Sequence, residues 1–263
     1  MKRLLLIALL TFSVNTAHAI RFSTTVFQGG MLPGATCILN LMDGTGSTAK
    51  NNIVGGFDGT ITGASWVVGS TDSFRYPIPD TMLSCPNTSG NYIDIPASNF
   101  ANVVDFTYMF WVKRSSQNTD DSVMGFDNTV LSRRMECNVE WYANGKSRLS
   151  CYLTDGVNTQ YFAAGGKNIW GGWHFIQMFS SGTGKLGLQV DDEPEVTISS
   201  NTLTFANIYV GALHNFRIGQ LGNTAGSNPF GGFIAKAYLY NKYIPRAERL
   251  FYFFNRRPQG VGD

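Results

Sequence analysis

Glu136-Cys137-Asn138-Val139-Glu140 is where the residue types come nearest to an acid/base pair. Side chains on an extended strand alternate between faces, so Glu136, Asn138 and Glu140 share one face while Cys137, Val139 and Trp141 share the other. Two carboxyls on one face can divide the roles of nucleophile and proton donor. That chemistry needs them roughly 5 to 5.5 Å apart, whereas Cα atoms four residues apart on a strand lie roughly 13 Å apart. They would have to lean together across Asn138, which is uncharged and exchanges no proton with either. A solvated strand face accounts for the segment better.

Other reactive types are sparse. His174 lies in an apolar stretch and His214 just before another, neither with an acidic neighbour in sequence. No Gly-x-Ser-x-Gly elbow, Cys-x-x-Cys or His-x-x-x-His is present. Gly145-Lys146-Ser147 resembles the end of a phosphate loop, but Glu140 and Trp141 leave the first glycine absent, so it is a hairpin tip. The chain has four cysteines. If the hairpin loop is Ala143 to Gly145, paired positions sum to 288, and Cys137 and Cys151 satisfy that sum. They are the expected disulfide. By elimination Cys37 joins Cys85, although sequence alone allows three connectivities.

The elements that must position these residues are short strands. Residues 1–19 read as an export signal, with Lys2 and Arg3, an apolar run Leu4 to Leu10, and a small-residue cleavage site at Ala17-His18-Ala19. Its removal takes two basic residues and no acid, so 20 basic and 18 acidic residues become 18 and 18, which leaves no net charge to draw nucleic acid. Nothing later reaches the roughly 18 apolar residues of a spanning helix. Disulfide-competent cysteines fit the same oxidising route. An Asn87-Thr88-Ser89 sequon matters only in a eukaryotic secretory route. The expected product is exported, to the cell surface, the periplasm or the medium.

Residues 20–34 form an arm or edge strand, and residues 35–263 one all-β domain. With 29 glycines and 14% charged residues, that domain has turns and core material for a sandwich. Trp173 to Phe179, Lys185 to Val190 and Glu195 to Ile198, separated by Gly-rich and Asp-Asp-Glu-Pro turns, make an antiparallel meander. Asp105 to Lys113 is apolar on both faces and so belongs in the middle of a sheet covered on both sides. Further strands are expected at Ala35 to Leu41, Leu83 to Cys85, Tyr92 to Pro96, Thr129 to Arg133, Glu136 to Tyr142, Ser147 to Leu153, Gln160 to Ala163, Phe216 to Gly219 and Phe230 to Asn241. A helix from Pro245 to Phe254 closes the chain with an apolar face of Ala247, Leu250, Phe251 and Phe254, while Arg246, Arg249, Arg256 and Arg257 make a solvated one.

Four stretches in order resemble the laminin G-like jelly roll of the concanavalin A-like lectin/glucanase superfamily. They are the Asp43-to-Ser47 loop running on to Trp66, Tyr92-Ile93-Asp94-Ile95-Pro96 with Phe106 to Lys113, Trp173-His174 with Val190-Asp191, and Phe216-Arg217-Ile218-Gly219 with Phe230 to Ile234 and Tyr240-Asn241. The resemblance implies a two-sheet antiparallel jelly roll and an exported binding module for carbohydrate or another surface ligand, held by rim loops. A hydrolase of the glucanase type using Glu136 and Glu140, and a structural or adhesive surface protein, are the alternatives. Laminarinase-type relatives carry Glu-x-Asp-x-Glu, and Asn138 departs from that pattern. The family also implies Ca²⁺, for which Asp43, Asn51 and Asp58 supply hard oxygens. Relatives have Asp-Asp where this chain has Ala235-Lys236, which counts against the ion. Of the tryptophans, Trp111, Trp141 and Trp173 lie on strands and are expected to pack, whereas Trp66 and Trp170 lie beside turns and are the candidate exposed rings.

Overall fold

The computed structural model describes residues 35–39, 41, 44–53, 56–68, 81–100, 103–115, 120–128, 132–142, 146–164, 168–181, 185–198, 203, 215–222 and 228–255. The chain divides into two units, Met1–Ala35 and Thr36–Asp263. Among the described residues the strands form two eight-stranded sheets with antiparallel pairing. Sheet I runs β14 (Val196–Ile198), β13 (Leu186–Val190), β12 (Trp173–Ser180), β7 (Phe106–Arg114), β16 (Gly232–Tyr240), β5 (Thr81–Cys85) and β4 (Ser65–Val68), with β1 (Ala35–Leu39) also on β16. Sheet II runs β11 (Thr159–Ala163), β10 (Lys146–Asp155), β9 (Arg133–Tyr142), β8 (Asp120–Asn128), β15 (Phe216–Ile218), β6 (Tyr92–Ile95), β3 (Gly59–Thr62) and β2 (Thr48–Ala49). A helix, α1 (Arg246–Asn255), follows β16. No helix among the described residues is long and apolar enough to cross a membrane.

The two-faced strand Phe106–Arg114 is central in sheet I, as its pattern requires. Its inward residues Phe106, Tyr108, Phe110 and Val112 join the core between the sheets. On its outward face Thr107 Oγ1 accepts the Ile244 N–H, and Trp111 stacks on Phe253 of α1 with ring centroids 5.8 Å apart. A buried side chain of this size stabilises by about 1.5 to 3 kcal/mol, so a strand covered on both sides is a major source of folding energy. The meander is present, with Ile176 opposite Val190 and Leu188 opposite Val196.

The β9–β10 hairpin has the expected register. Tyr142 faces Lys146 and Cys137 faces Cys151, and the two cysteines are disulfide-bonded. Replacing both with serine should cost about 3 kcal/mol, the chain-entropy value for a loop of about 15 residues. Calorimetry should register a fall of about 9 °C in melting temperature.

Three expectations are corrected. Cys37 and Cys85 are not bridged but are separate buried thiols. β7 runs along one edge of β16, so β5 and β1 share the other, and β5 already occupies Gly232 to Ile234 with Cys85 opposite Gly232. The two cysteines therefore belong to different lengths of that edge. Burial pushes both thiols up to about 12, reinforced at Cys37 by the charge of Asp58. A thiol held protonated is a poor partner for exchange. Second, Asp120–Asn128 is a strand that the sequence pattern does not signal, and the strand expected at Thr129 is not seen: residues 129–131 lie outside the described residues and Ser132 is a turn. β8 carries three aspartates, a glycine and a bulge between Ser122 and Met124, which hide its alternation. Its Gly125 is required, because a Cβ there would lie 2.4 Å from the Met135 carbonyl oxygen.

The third correction concerns α1. Pro245 precedes it, and the Pro245 carbonyl accepts the Arg249 N–H as the first helical bond, with Glu248 suitably placed in the first turn. Its covered face is nevertheless not the expected apolar one: Ala247 is exposed and Phe254 is 64% exposed. Arg249 and Tyr252 are buried instead. The outer face of sheet I already supplies the aromatic surface, with Arg249 3.8 Å over the Phe179 ring and the Tyr252 hydroxyl 2.5 Å from that of Tyr240. Arg246 is exposed, while Arg256 and Arg257 lie outside the described residues.

Candidate functional site

Glu136, Asn138 and Glu140 do share the outer face of sheet II, but the two carboxylates are drawn to different partners. Glu136 is buried, ion-paired with Arg134, and accepts the Asn228 amide at 2.8 Å. Glu140 takes Arg148 Nε at 3.0 Å and the Tyr161 hydroxyl at 2.9 Å. Partial burial and the Glu140 carboxylate raise the Tyr161 phenol above its ordinary pKa. Farther along the same face Arg217 lies 3.9 Å over the Tyr92 ring and 3.1 Å from Asp94. Acids and bases alternate and neutralise one another across the strands.

The opening loop is built from its own side chains. Asn51 Oδ1 accepts the backbone N–H groups of Ile38 and Ile53, each at 3.0 Å, and Asn51 Nδ2 donates to the Phe57 carbonyl. Asp58 accepts the Asn51 N–H at 2.8 Å and the Lys50 ammonium at 2.7 Å, and these hold its carboxyl below the usual range. Asp43 lies outside the described residues. Among the described residues no group of three or more His, Cys, Asp or Glu could hold a metal ion. Through these hydrogen bonds the oxygens of Asn51 and Asp58 cap turns. Trp66 belongs to the same loop: its indole N–H donates to the Gly46 carbonyl at 2.7 Å while its ring packs against the core, so it braces the loop.

Trp170 is placed differently. Arg114, at the end of β7, is 1% exposed and turns inward between the sheets. Its Nε donates to Asp121 at 2.8 Å and its Nη1 to the Ser147 hydroxyl at 2.7 Å. Over this guanidinium lie two half-buried rings, Trp170 at 5.7 Å and Trp141 at 6.0 Å, which meet edge to face at 5.7 Å. The Asn168 side chain fixes the turn by accepting the Ser147 and Trp170 N–H groups. A cation under a ring face is worth about 2 kcal/mol or more when desolvated, so the pair is held rigidly at the rim. Trp141, expected from its strand only to pack, is brought to the rim by its place at the strand end, opposite Ser147.

His174, without an acidic neighbour in sequence, has one in space. Its Nδ1 lies 2.9 Å from Asp191 Oδ2, and Asp191 Oδ1 accepts the Phe175 N–H at 2.7 Å. Asp191 reaches this position by a left-handed turn with φ 53° after β13. His214 lies outside the described residues.

Two antiparallel sheets packed face to face, with aromatic residues at a loop rim, define a lectin-like jelly roll. The chain belongs to the Laminin G 3 family of the concanavalin A-like lectin/glucanases superfamily, which it matches over residues 87–248. A comparison with curated proteins finds no match. Among solved structures it is similar to the Ruminococcus gnavus IT-sialidase CBM40 bound to α2,3 sialyllactose, at 16% identity over 64% of this chain and 94% of that one, with a TM-score of 0.53. It is also similar to domain 4 of AbnA, a GH43 extracellular arabinanase from Geobacillus stearothermophilus in complex with arabinotriose, at 14% identity over 82% of this chain and 97% of that one, TM-score 0.54. A third is the binding domain of botulinum neurotoxin DC in complex with rat synaptotagmin II, at 12% identity over 84% of this chain and 51% of that one, TM-score 0.53. At these identities the likeness is one of fold.

Proposed function

We propose that the chain is an exported binding module that takes carbohydrate at the rim built by Trp170 and Trp141. The observation that carries this reading is the pair of half-buried indoles held over the buried guanidinium of Arg114. A sugar ring offers an apolar face that stacks on an indole, and a platform already immobilised loses little entropy on binding. The sialyllactose and arabinotriose complexes of similar folds support a sugar, and the synaptotagmin complex makes a surface protein the alternative partner. Export is proposed from residues 1–19.

The test is a broad glycan array, run with Ca²⁺ and with a chelator, on the chain and on Trp170→Ala. Binding to one glycan class, weakened about tenfold in the variant for the loss of one stacking contact, supports the reading. Loss on chelation would assign an ion to the loop of Asp43, Asn51 and Asp58. A blank array in both conditions would sink the carbohydrate reading and turn the search to surface proteins.

A further inference from the structure

Between Trp170 and His174 the chain carries two exposed glycines, Gly171 and Gly172. A Cβ at Gly171 would have nothing within 4 Å. One at Gly172 would meet only His174, its Nε2 at 3.3 Å and its Cε1 at 3.9 Å. The glycines are therefore an open floor, and the Nε2 edge of the imidazole is turned toward it. Both walls of this floor stand on the side of sheet I that faces sheet II. Trp170 bridges to Arg114, and His174 pairs with Val112, two residues earlier on the same inward face of β7.

The imidazole is oriented before any ligand arrives. A carboxylate only accepts hydrogen bonds, so the proton on the Asp191 side resides on Nδ1, and in that tautomer Nε2 presents a lone pair. Asp191 is itself over-determined. Its carboxylate takes the Phe175 N–H, its own N–H donates to the Phe175 carbonyl at 2.8 Å, and its carbonyl accepts Gln177 Nε2 at 3.0 Å. Among the described residues Nε2 makes no hydrogen bond. An acceptor fixed beside a bare backbone floor, with Trp170 at the floor's other end, suits a group that is flat and apolar on one side and carries a hydroxyl on its edge.

We propose that Gly171-Gly172, between Trp170 and His174, is the subsite of the rim that receives a hydroxyl of a neutral sugar, with His174 Nε2 as its acceptor and Asp191 as the positioning residue. This rests on the carbohydrate reading above. The lone pair sets the specificity: it accepts from a hydroxyl and gains nothing from a ring carbon that lacks one. The glycines set the steric limit, since any side chain at Gly172 would stand where the sugar edge lies.

The probes are arabinotriose, laminaritriose and lactose, titrated by calorimetry into the chain and into Gly172→Val, His174→Ala and Trp170→Ala. Gly172 has no left-handed φ, so valine adds bulk without backbone strain. The expected result is that Gly172→Val and His174→Ala each weaken binding of the recognised sugar about tenfold, the value of one lost hydrogen bond or a blocked contact. His174→Gln, which restores an acceptor, should recover part of the loss, as a merely structural histidine would not. If a sugar binds, Trp170→Ala weakens it about tenfold, and Gly172→Val binds like the parent chain, the subsite is overturned and the rim reading stands. If no probe binds the parent chain, the neutral-sugar subsite is overturned, and the glycan array decides the carbohydrate reading.

Discussion

Arg249→Ala melts about 10 °C below the parent chain, the consequence of leaving a buried cluster without its cation: breaking a buried ion pair from one side costs about 3 to 5 kcal/mol, and a domain of this size loses about 2 to 4 °C per kcal/mol. Arg249 is fully buried, pairs with Glu195, and donates to Gln177 Oε1 at 3.1 Å, Gln189 Oε1 at 3.3 Å and the Ile244 carbonyl at 2.5 Å. No water can replace so many donors at once, and the helix that covers sheet I loses its anchor. Burial pushes the Glu195 carboxyl up, but the hydrogen bond from Lys185 and the guanidinium of Arg249 outweigh it and hold the group below its ordinary value. A carboxyl depressed in the folded state contributes stability above its unfolded pKa and loses it as pH falls through the folded one. The parent chain should therefore lose melting temperature on acidification through and below the ordinary carboxylate range, and Arg249→Ala should show a shallower acid limb. Differential scanning calorimetry across pH reads both. Equal slopes would show that the pair contributes nothing to the acid response.

Arg114→Ala should cost about as much, 3 to 5 kcal/mol by the same rule for a broken buried pair, and should also abolish ligand binding at the rim. Asp121 is 0% exposed and would be left facing the cavity. The indoles of Trp141 and Trp170 would lose the guanidinium between them and Ser147 its donor, so tryptophan fluorescence should shift along with melting temperature. The double variant Arg114→Met, Asp121→Asn removes both charges of the buried pair and should recover much of the stability, yet not the binding. Recovery of both would show that Arg114 supports the fold and not the rim.

The local pairing of the chain is legible in its residues. Register in the Cys137 to Cys151 hairpin follows from a loop of known length, and the meander from Trp173 to Ile198 follows from alternation broken by turns. The central strand announces itself by being apolar on both faces. These features depend on neighbours a few residues apart, where backbone geometry leaves little choice. β8 is hidden because its residues look like a loop: Asp121 is buried where Arg114 reaches it, and Gly125 is there because of the Met135 carbonyl on the next strand.

Charges mislead most. Arg249 reads as a solvated helix residue until Glu195, 54 positions earlier, and Gln177, 72 earlier, are placed beneath it. His174 reads as an isolated core histidine until the turn after β13 delivers Asp191. Trp170 is singled out by its turn, but its partner Trp141 is not, because what matters is that both ends meet over one guanidinium.

The alternation, the turns, one disulfide and the two-sheet class of this protein are all written in its order of residues, since each is set by short-range sterics and by the period of the side chains. Which charged residues are buried, which cysteines stay apart and which rings meet at the rim depend instead on the assembled fold. An alternating pattern says that a strand or helix has two faces; only the element packed against it, contributed from far along the chain, decides which face leaves water and whether a charge there finds its partner.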